Sequence, residues 1–242
     1  MEVLGAIPFR LEAGALLRQA RADADSDEAR CLLKLLDTAR RVGHPKAAYA
    51  EAFVELRDGD AVQIGGRPFA SRALSRNLET AGRVFPFVAT CGRELDEAVP
   101  APDDPFLAFW RDWLKTCLLD AARRALQDHL VRTFRLGRTA SMAPGSGDAS
   151  VWPIEQQRGL FALLGDVQGA IGVTLTDSFL MVPNKTVSGI LFPSETDFRS
   201  CEVCRRARCP LRRAPFQEAL WAAVAGSQPG AAPTGRCHSG EA

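Results

Sequence analysis

The apolar positions of this chain change period several times, and each change marks an element. In "DSDEARCLLKLLDTARRVG" the leucines share one helical face, acidic residues lead, and arginines precede a closing glycine. That pattern predicts a capped amphipathic helix. "AAYAEAFVEL" alternates instead: Tyr49, Glu51, Phe53 and Glu55 stand against Ala50, Ala52, Val54 and Leu56, the two-residue period of a strand. "RDGD" reads as a turn and "AVQI" as the second strand of a hairpin. "SRALSRNLETAG" returns to helical spacing, and "VFPFVAT" reads as a buried strand. After the proline-rich break "VPAPDDP", residues 106–135 carry the longest helical pattern, with Phe106, Phe109, Trp113, Cys117 and Leu118 expected on one side. At about 1.5 Å per residue that helix would run roughly 45 Å, enough to brace a domain.

"RLGRTASMAPGSGDASVW" follows as a long loop rich in glycine, serine and proline, of the kind that is usually functional or mobile. Pro153 opens another helix, "PIEQQRGLFALLG", with glycine as its stop. Residues 171–192 read as short strands around the turn "PNK", with Phe179, Met181, Ile190 and Phe192 alternating as the core side of a hairpin. No internal repeat is present. Helices mixed with hairpins indicate an α+β fold, a twisted and mainly antiparallel sheet with flanking helices. The expected organisation is an α+β domain over residues 1–198, a cysteine-rich segment with a short helix over 199–225, and a disordered tail over 226–242.

Composition narrows the function classes. With 242 residues the chain can bury a sizeable core, and a net charge of +1 provides no global field for nucleic acid or an anionic membrane. No apolar run approaches membrane-spanning length, and "MEVLGAIPFRLEAGALL" has no basic leader, so a cytoplasmic protein with no membrane partner is expected. No serine–histidine–acid set, phosphate loop or paired-carboxylate site points to an ordinary hydrolase or kinase. Cys31, Cys91 and Cys117 sit in apolar surroundings, where a thiol acts as a small buried hydrophobe.

"LTDSFLMVPNKTVSGILF" resembles the C-terminal activation domain of cobalamin-dependent methionine synthase, a module that binds S-adenosylmethionine and helps re-methylate an oxidised cobalamin. Thr176, Ser178, Met181, Pro183, Val187, Ser188 and Gly189 stand at the family's spacing, and upstream "APGSG" and "FALLG" match its loop and following helix. The resemblance spans roughly residues 139–192 and implies an activation-domain-like fold. It also implies ligand-binding positions at Ser141, Pro144, Gly145, Ser146, Ser188 and Gly189, with the loop and the "KTVSG" turn lining a pocket. In the family an arginine lies four residues before the loop glycine and a tyrosine follows it; here those positions are Ser141 and Ser146. Serine cannot reproduce the paired charge-assisted hydrogen bonds of a guanidinium. Tyr49 is the one tyrosine of the chain, and the nearest arginine available as a substitute is Arg138. Adenosylmethionine is therefore expected to bind weakly or not at all. None of His44, His129 and His238 lies in the Asp-x-His-x-x-Gly frame of a base-off cobalamin site. His129 reads as a structural or surface histidine, and the corrinoid is expected on a partner, a corrinoid protein or cobalamin-dependent methyltransferase.

"CEVCRRARCPLRR" places Cys201, Cys204 and Cys209 within nine positions. In a reducing compartment such a cluster suggests metal or redox chemistry. Cys-x-x-Cys turns the chain so that two thiolates can reach one centre, and Cys209 supplies a third. A zinc knuckle would place its fourth ligand at Ala214. Three thiolates suit a 4Fe–4S cluster with an external ligand, and they also suit zinc completed by Cys237 or His238. The iron–sulfur reading is preferred, because a corrinoid stalled as Co(II) needs an electron. Arg199, Arg205, Arg206, Arg208, Arg212 and Arg213 surround the thiols, opposed mainly by Asp197 and Glu202. They either balance a thiolate–metal charge or form a docking surface for an acidic electron donor or corrinoid protein. Without interleaved aromatics, nucleic acid is the third choice. The chain thus reads as an accessory redox protein for reductive reactivation of a corrinoid system. The alternative is a non-catalytic binding module with a structural zinc.

Overall fold

A computed structural model describes residues 1–148, 150–196, 198–209 and 212–224; the expected tail, with Cys237 and His238, lies outside them. The chain runs through β1 (Glu2–Leu4), α1 (Ala13–Ala20), α2 (Asp27–Val42), β2 (Lys46–Tyr49), β3 (Ala52–Asp58), β4 (Ala61–Ile64), β5 (Arg67–Ala70) and α3 (Arg72–Asn77). It continues with β6 (Arg83–Thr90), α4 (Glu94–Ala98), α5 (Pro105–Thr133) and β7 (Thr139–Met142). Then come α6 (Gln157–Leu164), α7 (Val167–Ile171), β8 (Thr174–Leu175), β9 (Met181–Val182), β10 (Thr186–Pro193) and α8 (Glu218–Val224). Short 3-10 turns occupy Ile154–Gln156 and Ser200–Val203. This is the expected α+β fold. No helix among the described residues is long and apolar enough to cross a membrane.

β6 is the spine of the antiparallel sheet. One of its edges pairs with β10, from Thr186 opposite Thr90 to Leu191 opposite Phe85. Its other edge pairs first with β2 and then with β3, while β10 carries β7 on its far side. Both faces are covered, so the run Val84 to Ala89 is apolar throughout. Val84 and Val88 join one buried cluster with Ile190 and Phe192, and Phe85, Phe87 and Ala89 join the other with Leu191. The single strand expected over "AAYAEAFVEL" is in fact two. Ala50 donates to the carbonyl of Pro86 at 3.0 Å, but Pro86 has no N–H to return, and the ladder breaks there.

The helices cover this sheet with stripes that the sequence reading placed partly wrongly. α2 begins as expected, with the Ser26 hydroxyl accepting from Ala29 N–H at 3.1 Å, and buries Ala29, Leu32, Leu35, Leu36 and Ala39. Cys31, one step off that stripe, is exposed rather than buried. On α5 the buried stripe is Trp110, Leu114, Leu118, Ala122, Leu126 and Leu130. Phe109 is 62% exposed, and Phe106, Trp113 and Cys117 only border the core. The i, i+4 leucines, with Trp110, carry the contact. The hairpin expected around "PNK" is also absent: β9 pairs with β8, whereas β10 pairs with β6 and β7. Phe179 and Met181 are accordingly half-buried, and only Ile190 and Phe192 lie deep.

What holds the Pro183–Lys185 turn is α5. The buried Lys115 ammonium donates to Asp96 Oδ2 at 2.8 Å and to Asn184 Oδ1 at 2.6 Å. Arg111 shares Asp96, and Lys185 pairs with Asp112 at 2.7 Å. Lys115→Met should lower the unfolding free energy by about 2–3 kcal/mol, because it strips charged hydrogen bonds inside the fold. Asp112→Asn, at a more exposed pair, should cost less than about 1 kcal/mol. Urea denaturation of both variants checks the contrast.

Candidate functional site

β10 and β7 bring the expected ligand-binding positions into one neighbourhood. Ile190 lies opposite Met142 and Leu191 opposite Ser141. Ser188 and Gly189 are buried strand residues opposite Val88 and Phe87 of β6, rather than parts of a turn. A Cβ added at Gly189 would come 2.5 Å from the Met142 carbonyl and 3.2 Å from the Phe87 ring. Glycine is therefore required by packing at this position. Ser141 is exposed, beside a cavity of about 370 Å³ between α5, the sheet and Arg213.

The stretch 135–152, expected as one loop, is more ordered than that. β7 occupies part of it, and Trp152, 1% exposed, anchors its far end against Phe69. Gly145, in the left-handed region at φ +72°, donates to Trp152 O at 2.8 Å, and Ser146 donates to Ala143 O at 3.1 Å. A Cβ at Gly145 would come 2.6 Å from Ile154. Pro144 is buried and Ser146 exposed. Asp148 then accepts from Ser150 N–H at 3.0 Å and Ser150 Oγ at 2.7 Å.

The cysteine segment packs directly on this loop, a contact that no sequence pattern announced. A Cβ at Gly147 would lie 3.1 Å from the Ser200 carbonyl and 3.5 Å from Cys204 Cβ. Arg205 pairs with Asp148 at 3.0 Å, and its guanidinium lies 4.2 Å from the centre of the Trp221 ring on α8. Val203 and Val224 are buried with Ile190 and Phe192 in one apolar cluster. Burial alone would raise the Asp148 pKa, but the Ser150 hydrogen bonds and Arg205 outweigh it and hold the carboxyl below its usual range.

The thiols themselves are not drawn into one ligand set. Cys204 is buried, Cys201 and Cys209 are half-buried, and Arg213 N–H donates to Cys201 Sγ at 3.4 Å. At the centre of the segment lies the Arg212 guanidinium. It donates to the carbonyls of Cys201 at 3.0 Å and Cys204 at 3.2 Å, and also to that of Arg206. Among the described residues no group of three or more His, Cys, Asp or Glu side chains is arranged to hold a metal ion. As placed, the three cysteines do not fit an iron–sulfur centre or zinc, and the loop closes on its own cation.

The arginine patch divides by role. Arg205 and Arg212 are committed to the loop and the segment, Arg213 lines the cavity, and the exposed side chains of Arg206 and Arg208 have no hydrogen-bond or ion-pair partner among the described residues. The remaining titratable candidates are structural. Burial pushes the Cys91 thiol up to about 12 and the Cys117 thiol up to about 11, so both are protonated near neutral pH. Tyr49 Oη donates to Glu2 Oε2 at 2.8 Å and lies 2.9 Å from His129 Nε2, which must then be the donor to the phenol.

Because the folded Asp148 carboxyl has a lowered pKa, its contribution is fully present above the ordinary carboxylate value of about 3.9 and fades as pH falls through the lower folded value. The stability difference between wild type and Asp148→Asn should therefore be constant between neutral pH and about pH 5 and shrink below about pH 4. Urea midpoints across that range check the sign.

The comparisons with known proteins agree with this geometry. Residues 136–204 match the family described as vitamin B12 dependent methionine synthase, activation domain. That span covers β7, the loop and β10 with Cys201 and Cys204, and it stops short of Cys209. A solved structure described as the MetH reactivation domain bound to AdoHcy aligns at a TM-score of 0.52 and 18% identity, over 82% of this chain and 80% of that one. No curated protein matches the chain. Residues 136–204 thus match the vitamin B12 dependent methionine synthase activation-domain family, and the chain around them shares the fold of the MetH reactivation domain.

Proposed function

We propose that this protein is a reactivation module for a corrinoid system. It docks on a cobalamin-carrying partner and assists return of the oxidised corrinoid to its methylated state. The supporting observation is that the family's sequence pattern falls on the residues that build β7, its loop and β10, within the activation-domain fold. The corrinoid belongs to the partner. His129 is engaged with Tyr49, and His44 hydrogen-bonds the Gly5 carbonyl at 2.7 Å. S-adenosylmethionine is at most a weak ligand in this reading, since Ser141 and Ser146 stand where the resemblance calls for arginine and tyrosine.

The iron–sulfur centre, or its zinc alternative, on Cys201, Cys204 and Cys209 rests on sequence spacing, and no step of the proposal runs through it. Arg212 at the centre of the cysteine loop favours the binding-module part of the alternative, a module that transfers no electron itself, without its structural zinc. Metal and sulfide analysis of anaerobically purified protein separates the two.

Docking is expected to involve Arg206 and Arg208, whose charge is not spent within the fold. A corrinoid protein loaded with cob(II)alamin should bind the module more tightly than its apo form. Arg206→Glu with Arg208→Glu should slow association about tenfold at low salt, the gap closing as the Debye length falls below about 8 Å. Surface plasmon resonance at several salt concentrations checks this. Equal affinity for loaded and apo partner contradicts the proposal.

A further inference from the structure

The cavity beside Ser141 has a composition that the reactivation reading does not use. Phe87, Leu126 and Leu191 contribute apolar surface, while Arg123, Arg124 and Arg213 contribute three guanidiniums. Asp120 is the acidic residue of the lining, which leaves a formal charge of +2 from three arginines and one aspartate. Arg123 reaches Asp120 at 3.4 Å with its side chain 37% exposed. The side chains of Arg124 and Arg213 have no hydrogen-bond or ion-pair partner among the described residues. Burial first, and then the neighbouring Arg213, hold the Arg123 pKa below its ordinary value. Like charges are thus gathered around a concave, partly apolar surface with one carboxylate to offset them.

We infer that this cavity binds a small organic anion, a phosphate or carboxylate group carried on a body with an apolar face. Its volume of about 370 Å³ falls at the lower end of small-ligand pockets, roughly 300–1,000 Å³. Planar guanidinium forks match the oxygens of either group with paired, charge-assisted hydrogen bonds. An anion seated there relieves the repulsion among the arginines, and the apolar body covers Phe87 and Leu191. Ser141 and Gln127 add neutral polar atoms to the lining. Arg213 lies beyond Cys204, where the family match ends. The inference rests on the charge and shape of the lining rather than on the reactivation reading, although Ser141 and Leu191 lie within the family match and Ser141 is one of the ligand positions that the resemblance implies.

The test is calorimetric titration of the whole protein with phenyl phosphate, benzoate and inorganic phosphate. Wild type should bind phenyl phosphate or benzoate saturably at one site, and the tighter of the two identifies the anionic group. Arg213→Gln, a change at an exposed position, should weaken that probe at least about tenfold, as should Arg123→Gln. Arg67→Gln, at an exposed position on β5 outside the cavity, should leave its affinity unchanged. No saturable binding of either organic probe up to about 10 mM would overturn the inference. So would equal weakening by Arg67→Gln, or inorganic phosphate binding as tightly as phenyl phosphate.

Discussion

The pairing of β10 with β6 is the constraint on which the rest of this molecule depends. Six residues of β10, Thr186 to Leu191, are in register with β6, and both strands are buried on their two faces. A one-residue slip would exchange Ile190 and Leu191 between opposite cores, so the register is strongly specified. Once it is set, β7 is fixed along the far edge of β10, and the Pro183–Lys185 turn is delivered to Lys115 and Asp112 on α5. Gly189 sits where the Met142 carbonyl and the Phe87 ring close over a residue without a side chain.

The second level of organisation is the joint between the loop after β7 and the cysteine segment. Asp148 is held by Ser150 within the loop and by Arg205 from the segment, and Arg205 in turn stacks on Trp221 of α8. Gly147 allows the two backbones to approach, and Val203 carries the segment into the core below. Cys201, Cys204, the loop and α8 therefore form one packed unit. A partner touching Arg206 or Arg208 would press on the loop through at most a few residues.

Much of the fold was legible because it rests on local signals. Ser26 and Asp104 cap their helices, Gly165 ends α6, and the apolar run of β6 announces a strand covered on both faces. The misreadings arose where a non-local partner decides. Pro86 splits β2 from β3 through a missing donor on a different strand, and β10 turns away from β9 because β6 offers the longer ladder. At the candidate site, Ser141 and the "PGSG" loop were found by resemblance, which also pointed to Gly189. The Asp148–Arg205 pair, the Arg212 cradle and the arginine-lined cavity join residues up to 126 positions apart. No periodicity or short motif encodes such meetings; the one available signal was the density of arginine around Cys201 and Cys209.

That the loop and the cysteine segment act as one unit is most directly tested by amide hydrogen exchange. Protection is read at Gly145, Ser146 and Val151 in the loop, and at Glu202 and Cys204 in the segment, in wild type and in Arg205→Ala. The account predicts that loss of Arg205 speeds exchange at both groups together, by roughly tenfold, while β6 and β10 keep their protection. Faster exchange at Glu202 and Cys204 alone, with the loop amides unchanged, would contradict it.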